Sequence, residues 1–262
     1  MKRSLDLFEK KASQFDAERL ALGYRIRYAI IANLLLRVYK QGATALDMGC
    51  GTGEYAMLME RIGFEVTGVD FSKAMLLVCH SKIKGLQESN QPQVVNSECS
   101  KLPFGSNMFD VLACIAVLDC VPNYNELLGE AYRVLKENGA LIVCVDSIWS
   151  PSSFCTKALE LLQRGKVNNG TLCLQYKCLT DYMRICGFVK EKFVGDIFLG
   201  QVLTGFLFNP EKNDVTSKIL KIFQPIDSYL TRLSLLRPFS AHYIIQARKN
   251  SKILMPISYR RS

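Results

Sequence analysis

The turn Asp47-Met48-Gly49-Cys50-Gly51-Thr52-Gly53 constrains this chain more than any other segment, because its glycines alternate between an apolar run and a helix-forming stretch. Glycine lets a backbone adopt positive φ and approach a bound nucleotide closely. Such a turn has meaning only where a strand leads into it and a helix follows. The flanking sequence meets that condition and then repeats it. Short apolar runs predict strands over 44–48, 65–70, 94–97, 111–116 and 140–146, with helices starting at 54, 73 and 125. Strands alternating with helices at this spacing require a parallel sheet covered on both faces, because right-handed crossovers lay each helix over the sheet. The fold class is therefore α/β.

After Asp146 the rhythm changes. Helices are predicted from Ser153 and from Thr180 to Gly187, around a Gly- and Asn-rich break at 165–170, and strands over 189–194 and 241–247. Residues 195–241 read as an insertion before the last strand. At the other end, apolar residues recur at helical spacing over 6–36 with a break near Gly23, which predicts two amphipathic helices. A chain of 262 residues can bury a full core, and one domain accounts for all of it. Its parts are a helical cap over 1–40, a core over 41–150, a second half over 151–248 and a basic tail over 249–262.

The net charge of +9 admits nucleic acid, anionic lipid or acidic substrates without choosing among them, and the basic residues are spread along the chain as a solvated surface requires. The ten cysteines include no Cys-x-x-Cys pair, and no secretory signal precedes them, so reduced and mostly buried thiols are expected. With only His80 and His242 in the chain, no metal is expected. The longest apolar stretches, 29–36 and 197–208, fall short of the ~20 residues needed to span a bilayer, so no transmembrane segment is expected. A cytoplasmic protein is the simplest reading.

The glycine turn alone also fits a dinucleotide, and Asp70 at the end of the second strand fits any ribose, whether of a nicotinamide cofactor or another nucleoside. A third element narrows the field: Ser97-Glu98-Cys99-Ser100-Lys101-Leu102-Pro103-Phe104, followed by Phe109-Asp110 at the head of the fourth strand. Together these segments resemble the class I S-adenosylmethionine (SAM)-dependent methyltransferases, in particular the small-molecule branch that contains quinone-ring C-methyltransferases. The resemblance covers roughly residues 8–147. The family pattern is Asp-x-Gly-x-Gly-x-Gly, an acid ending strand two, Asp-Ala-Glu-x-Leu-Pro-Phe and Phe-Asp. Here Glu98 stands for the Asp of the third block and Cys99 for its Ala.

That resemblance implies a Rossmann-like, seven-stranded sheet, mostly parallel with an antiparallel last strand. It implies S-adenosyl-L-methionine as cofactor, with the Asp47, Gly49, Cys50, Gly51 and Gly53 loop against its methionine part. Asp70 would hold the ribose and Phe71 pack on adenine. Glu98 and Cys99 would hold the adenine edge, Ile115 approach the cofactor amino group, and Phe15 match an aromatic of the opening helix. Phe15 and Phe71 fit plain core packing as well.

Methyl transfer from a sulfonium is an in-line displacement, so the protein must chiefly hold the acceptor near the methyl carbon in a water-poor pocket. The site of such a sheet lies at the carboxyl ends of its parallel strands. Asp119, just past strand four, and Asp146, ending strand five, should point near the acceptor, and the antiparallel last strand implied by the resemblance would begin with His242 on the same edge, so His242 and then Asp119 are the candidate bases. The same topology lays 195–241 over the mouth as an acceptor lid. Its apolar content favours a hydrophobic or lipid-linked small-molecule acceptor and a peripheral membrane contact, although apolar helices also pack on their own domain. A nucleic-acid methyltransferase is disfavoured, because Ile115-Ala116-Val117-Leu118 stands where base-amino methylation uses an Asn/Asp-Pro-Pro-aromatic segment. A non-catalytic binding protein on the same fold remains the other alternative.

Overall fold

A computed structural model describes residues 6, 8–10, 12, 15–16, 22–85, 91–121, 123–147, 176–196, 222, 226, 229, 233, 240 and 242–252. Helix α1 (Leu22–Val38) precedes strand β1 (Thr44–Met48), helix α2 (Glu54–Ile62), strand β2 (Glu65–Asp70), helix α3 (Lys73–Ile83) and strand β3 (Gln93–Asn96). Strand β4 (Phe109–Ile115) ends in a 3-10 turn at Leu118–Cys120, followed by helix α4 (Tyr124–Val134) and strand β5 (Leu135–Asp146). Helix α5 (Tyr176–Ile185) leads to strand β6 (Phe188–Asp196), and strand β7 (His242–Lys249) comes last. The helix expected from Ser153 and most of 195–241 lie outside the described residues.

The strands form one 7-stranded sheet in the order β3-β2-β1-β4-β5-β7-β6. The pairs from β3 to β5 are parallel, and β7 runs antiparallel to both its neighbours, as expected from sequence. Alternate residues of each strand point to opposite faces. In β5, Leu141, Val143 and Val145 join Leu127, Leu128 and Ala131 of α4 on one face. Ala140, Ile142 and Cys144 join Ile31, Leu34 and Leu35 of α1 and Met59 of α2 on the other. Burial on both faces explains why the strands read as continuous apolar runs.

Helix α1 starts at Leu22, beside the break expected near Gly23. Helix α5 starts at Tyr176, earlier than the expected Thr180. Strand β5 starts at Leu135, earlier than its polar Lys136-Glu137-Asn138-Gly139 stretch suggests. Leu135 pairs with Phe109, and the register then shifts before Ala140 meets Val111, with Asn138 at φ 60° taking up the irregularity. Among the described residues no cysteine forms a disulfide. Among the described residues no helix is long and apolar enough to cross a membrane.

Candidate active site

From β1 the sheet grows through β2 to β3, and the chain then crosses back to place β4 on the other side of β1. A crevice opens where strand order reverses, at the carboxyl ends of β1 and β4. A cleft open to solvent lies there.

The glycine turn forms its floor. Gly49 and Cys50 donate to the Val69 carbonyl at 2.7 and 2.9 Å, which ties the turn to the neighbouring strand. Gly49 and Gly51 have φ of 78° and 52°, a region costly for residues with a Cβ. A Cβ on Gly49 would lie 2.3 Å from Val117 Cγ2, whereas one on Gly51 would meet nothing within 4 Å. The Gly51 Cα therefore faces open cleft, a cradle that a side chain would fill. Gly53 faces the interior instead, where a Cβ would lie 2.4 Å from Cys79 Sγ.

Asp70 ends β2 and is 6% exposed. Its Oδ2 accepts from the Gly51 N–H at 2.8 Å and its Oδ1 from the Ser72 N–H at 2.9 Å. Burial raises its pKa above the ordinary carboxyl value, and the backbone N–H groups of Ser72, Gly51 and Phe71 oppose that rise. Each carboxylate oxygen keeps a second lone pair, so Asp70 can anchor the loop and still accept from hydroxyls of a ligand. Phe71, exposed Glu98 and buried Cys99 continue the wall. Burial first, then the charges of Asp70 and Asp47, push the Cys99 thiol up, so it stays protonated. At the end of β4, Ile115 lines the cleft beside Ala116, whose φ of 56° is strained for a residue with a side chain.

The segment before α1 covers the cleft through two polar latches. Glu9 Oε1 accepts from Ser72 Oγ at 3.0 Å and from the Ala74 N–H at 3.3 Å. Asp16 accepts from Thr52 Oγ1 at 2.7 Å and pairs with Lys82. Between them Phe8 sits edge-on to both Phe71 and Phe15, at 6.2 and 6.3 Å between ring centroids.

Of the residues expected from sequence, Phe15, Gly49, Cys50, Gly51, Asp70, Phe71, Glu98, Cys99 and Ile115 converge on the cleft. Asp47 and Gly53 lie behind its wall. Asp47 is 2% exposed, and its charge acts on Cys50 and Cys99. His242 and Asp119 are not among the residues lining the cleft and lie in a cluster at the ends of β4, β5 and β7. His242 Nε2 is 3.2 Å from Asp146 Oδ1, its cross-strand neighbour. The Asp146 N–H donates to Asp119 Oδ2 at 3.1 Å, while Asp119 Oδ1 is buried without a hydrogen-bond partner. Burial, reinforced by the charge of Asp146, raises the Asp119 pKa well above the carboxyl range. Burial also acts upward on Asp146, but the His242 hydrogen bond and charge, with the charge of Arg27, bring its pKa below the ordinary value. Of the two, Asp119 is thus the one that holds a proton more tightly.

Sequence reasoning missed Tyr24 and Arg27 of α1 and Tyr55 of α2, all on the cleft wall. Tyr55 stacks on Tyr28 with ring centroids 5.9 Å apart, and the Arg27 guanidinium lies 5.2 Å from the Tyr24 ring centroid. The available signal was an arginine inside an apolar helix three residues after a tyrosine.

Residues 46–143 match the family described as the methyltransferase domain. A demethylmenaquinone methyltransferase of Listeria welshimeri is 36% identical over 146 residues, which cover 54% of this chain and 61% of that enzyme. The match thus spans about three fifths of the length of such curated relatives. Among solved structures, a SAM-dependent methyltransferase of Thermotoga maritima superposes with a TM-score of 0.61 at 18% identity, covering 94% of this chain and 100% of that one. Magnesium protoporphyrin IX methyltransferase of Synechocystis PCC 6803, solved with bound SAH, superposes with a TM-score of 0.60 at 14% identity, covering 87% and 84%. These structural likenesses establish the fold, and the sequence match falls on the strands and loops that build the cleft. Residues 46–143 are thus similar to the methyltransferase domain and to demethylmenaquinone methyltransferases, and the chain has the fold of solved SAM-dependent methyltransferases.

Proposed function

We propose that this protein transfers a methyl group from SAM to a small hydrophobic acceptor. One observation carries the reading: Gly51, Asp70, Phe71, Glu98 and Cys99 converge on one cleft at the switch point of the sheet, in the order a nucleoside would meet them. The open cradle at Gly51 and the spare lone pairs of Asp70 fit the sulfonium amino acid and the ribose. Phe71 would pack on adenine, with Glu98 and the Cys99 backbone at its edge. Bound there, SAM supplies an electrophilic methyl group, and the protein's task is to align an acceptor with it and exclude water. The Phe8 and Phe15 cover serves that exclusion.

His242, oriented by Asp146, is the candidate for taking up an acceptor proton. Asp119, whose pKa burial raises, is the second candidate. Isothermal titration of the full chain with SAM and with SAH tests the reading. Binding of both at micromolar to tens of micromolar concentration is expected, and NADH should give no heat. Absence of heat with SAM and SAH from folded protein would sink the assignment.

The relatives' quinone substrate and the exposed apolar residues Ile222, Ile226, Tyr229 and Leu233 support a lipid-linked acceptor reached by peripheral membrane contact. Those positions recur at the spacing of one helix face, and the first three are helical. Co-sedimentation with phosphatidylglycerol vesicles should fall several-fold in the Ile222→Ser, Ile226→Ser double variant. Undiminished binding by that variant removes the membrane argument.

A further inference from the structure

Cys79 has no place in cofactor binding, yet its sulfur lies under the glycine turn. It belongs to the buried face of α3, with Met75, Leu76 and Ile83. Cys50 lies in the turn itself, between the positive-φ Gly49 and Gly51, and lines the cleft at 6% exposure. Two other glycines leave the room that the sulfurs occupy. A Cβ on Gly53 would lie 2.4 Å from Cys79 Sγ, and one on Gly68 of β2 would lie 3.0 Å from Cys50 Sγ. Gly53 also donates its N–H to the Cys50 carbonyl at 2.8 Å, so Cys79 Sγ packs against the same short turn that carries Cys50. The two thiols hydrogen-bond to each other.

Their partnership is unequal. The hydrogen bond to Cys79, then burial and the charges of Asp47 and Asp70, push the Cys50 thiol up. The same hydrogen bond, helped by the charge of Lys82, draws the Cys79 thiol below its ordinary value against the effect of burial. Cys50 is thus the S–H donor that faces the cleft, and Cys79 the sulfur behind it that takes up a proton. A disulfide would hold the two sulfurs about 2.0 Å apart, closer than a hydrogen bond between thiols, so one of them has to move. Cys79 is fully buried in a packed helix, whereas Cys50 sits between two glycines in a turn. The turn therefore yields. Its ties are the Gly49 and Cys50 N–H groups on the Val69 carbonyl and the Gly51 N–H on Asp70 Oδ2, and these shape the floor of the cleft.

We propose that Cys50 and Cys79 are an oxidative modification site: a hydroperoxide entering the empty cleft converts them to a disulfide that deforms the glycine turn and shuts out the cofactor. The Cys50 sulfur attacks a peroxide oxygen and the O–O bond breaks, while the Cys50 proton passes to Cys79. The leaving hydroxide takes a proton and departs as water. Cys79 then attacks the Cys50 sulfenic acid, the S–O bond breaks, and its hydroxyl leaves with the Cys79 proton as a second water. Two thiols lose two electrons in all, and one hydrogen peroxide gains them to become two waters. A thiol reductant reverses the change. Resting on the SAM reading above, bound cofactor covers Cys50, so occupancy and oxidation oppose each other in equal measure.

The test treats the full chain with hydrogen peroxide, blocks the remaining thiols with iodoacetamide in urea, and maps the peptides by mass spectrometry. The Cys50–Cys79 link is expected to be the main disulfide, with SAH affinity by calorimetry falling about 10-fold or more, and dithiothreitol should reverse both. Saturating SAH added beforehand should slow the link about 5-fold or more. Cys79→Ala removes the proton acceptor and the second sulfur together, so it should bind SAH as the untreated chain does and keep that affinity after peroxide. Cys79→Ser serves if the alanine variant does not fold, and the peptide map of the unmodified chain needs neither. A map in which Cys50 and Cys79 stay unlinked, or link to other cysteines, overturns the proposal. So does a linked chain with undiminished SAH affinity, or a link that forms at its full rate under saturating SAH. Should the untreated chain not bind SAH, the SAM reading falls instead, and the map alone still decides whether the pair links.

Discussion

Asp70 holds the glycine loop in place before any ligand arrives, because its two oxygens accept from Gly51 and Ser72. Asp70→Asn sets an amide N–H against one of those backbone donors. We expect a stability loss of about 1–3 kcal/mol in urea denaturation and at least a 10-fold loss of SAH affinity by calorimetry. The glycines of the loop should separate by readout. Gly51→Ala points its methyl group into open cleft, so its main effect should be on SAH affinity. Gly53→Ala drives a methyl group onto Cys79 Sγ, so its main effect should be a lower melting temperature. The opposite pattern would show that the cleft does not lie on the Gly51 side. These residues were legible in the sequence because strand, turn and helix fix them locally. Tyr24, Arg27 and Tyr55 were not, because periodicity gives the buried face of a helix but not which strand ends that face overlooks.

At the scale of elements, the ends of β4, β5 and β7 meet in a carboxyl pair with opposite behaviour. Asp119 binds its proton more tightly folded than unfolded. It therefore adds stability below the ordinary carboxyl value of 3.8, and that contribution is lost as pH rises through its folded pKa. Asp146, with its pKa lowered, adds stability above 3.8 and loses it as pH falls through its folded value. Stability above 3.8 should thus decline with pH through Asp119, with a slope of at most about 1.4 kcal/mol per pH unit. Asp119→Asn should flatten that decline in urea denaturation between mildly acidic and neutral pH. An unchanged slope would mean that Asp119 is ionised throughout. Strand order placed Asp119 and Asp146 at this edge, and the antiparallel last strand implied by the resemblance added His242, yet the pairing of His242 with Asp146 depends on the register of β5 against β7. The start of β5 was misread for a related reason: Lys136 to Gly139 keep turn chemistry as an irregularity in the strand, and Leu135 before them still pairs with Phe109 of β4.

For the whole molecule, a ligand that bridges the carboxyl ends of β1, β2 and β4 stabilises the sheet by mass action. At a hundred times its dissociation constant SAH should add about 2.7 kcal/mol, a rise of roughly 5–10 °C in melting temperature for a chain of this size. The architecture itself was largely readable, because a sheet buried on both faces writes itself as apolar runs of strand length separated by helices. Its strand order carries a further consequence. Within the described sheet strand β6 pairs only with β7, and β7 is made after it, so a nascent chain leaving the ribosome exposes two raw edges, on β5 and on β6, until a later segment threads between them. The closing step of the sheet is the insertion of a wedge, and any holding factor that guards those edges during synthesis would set how much of this protein matures.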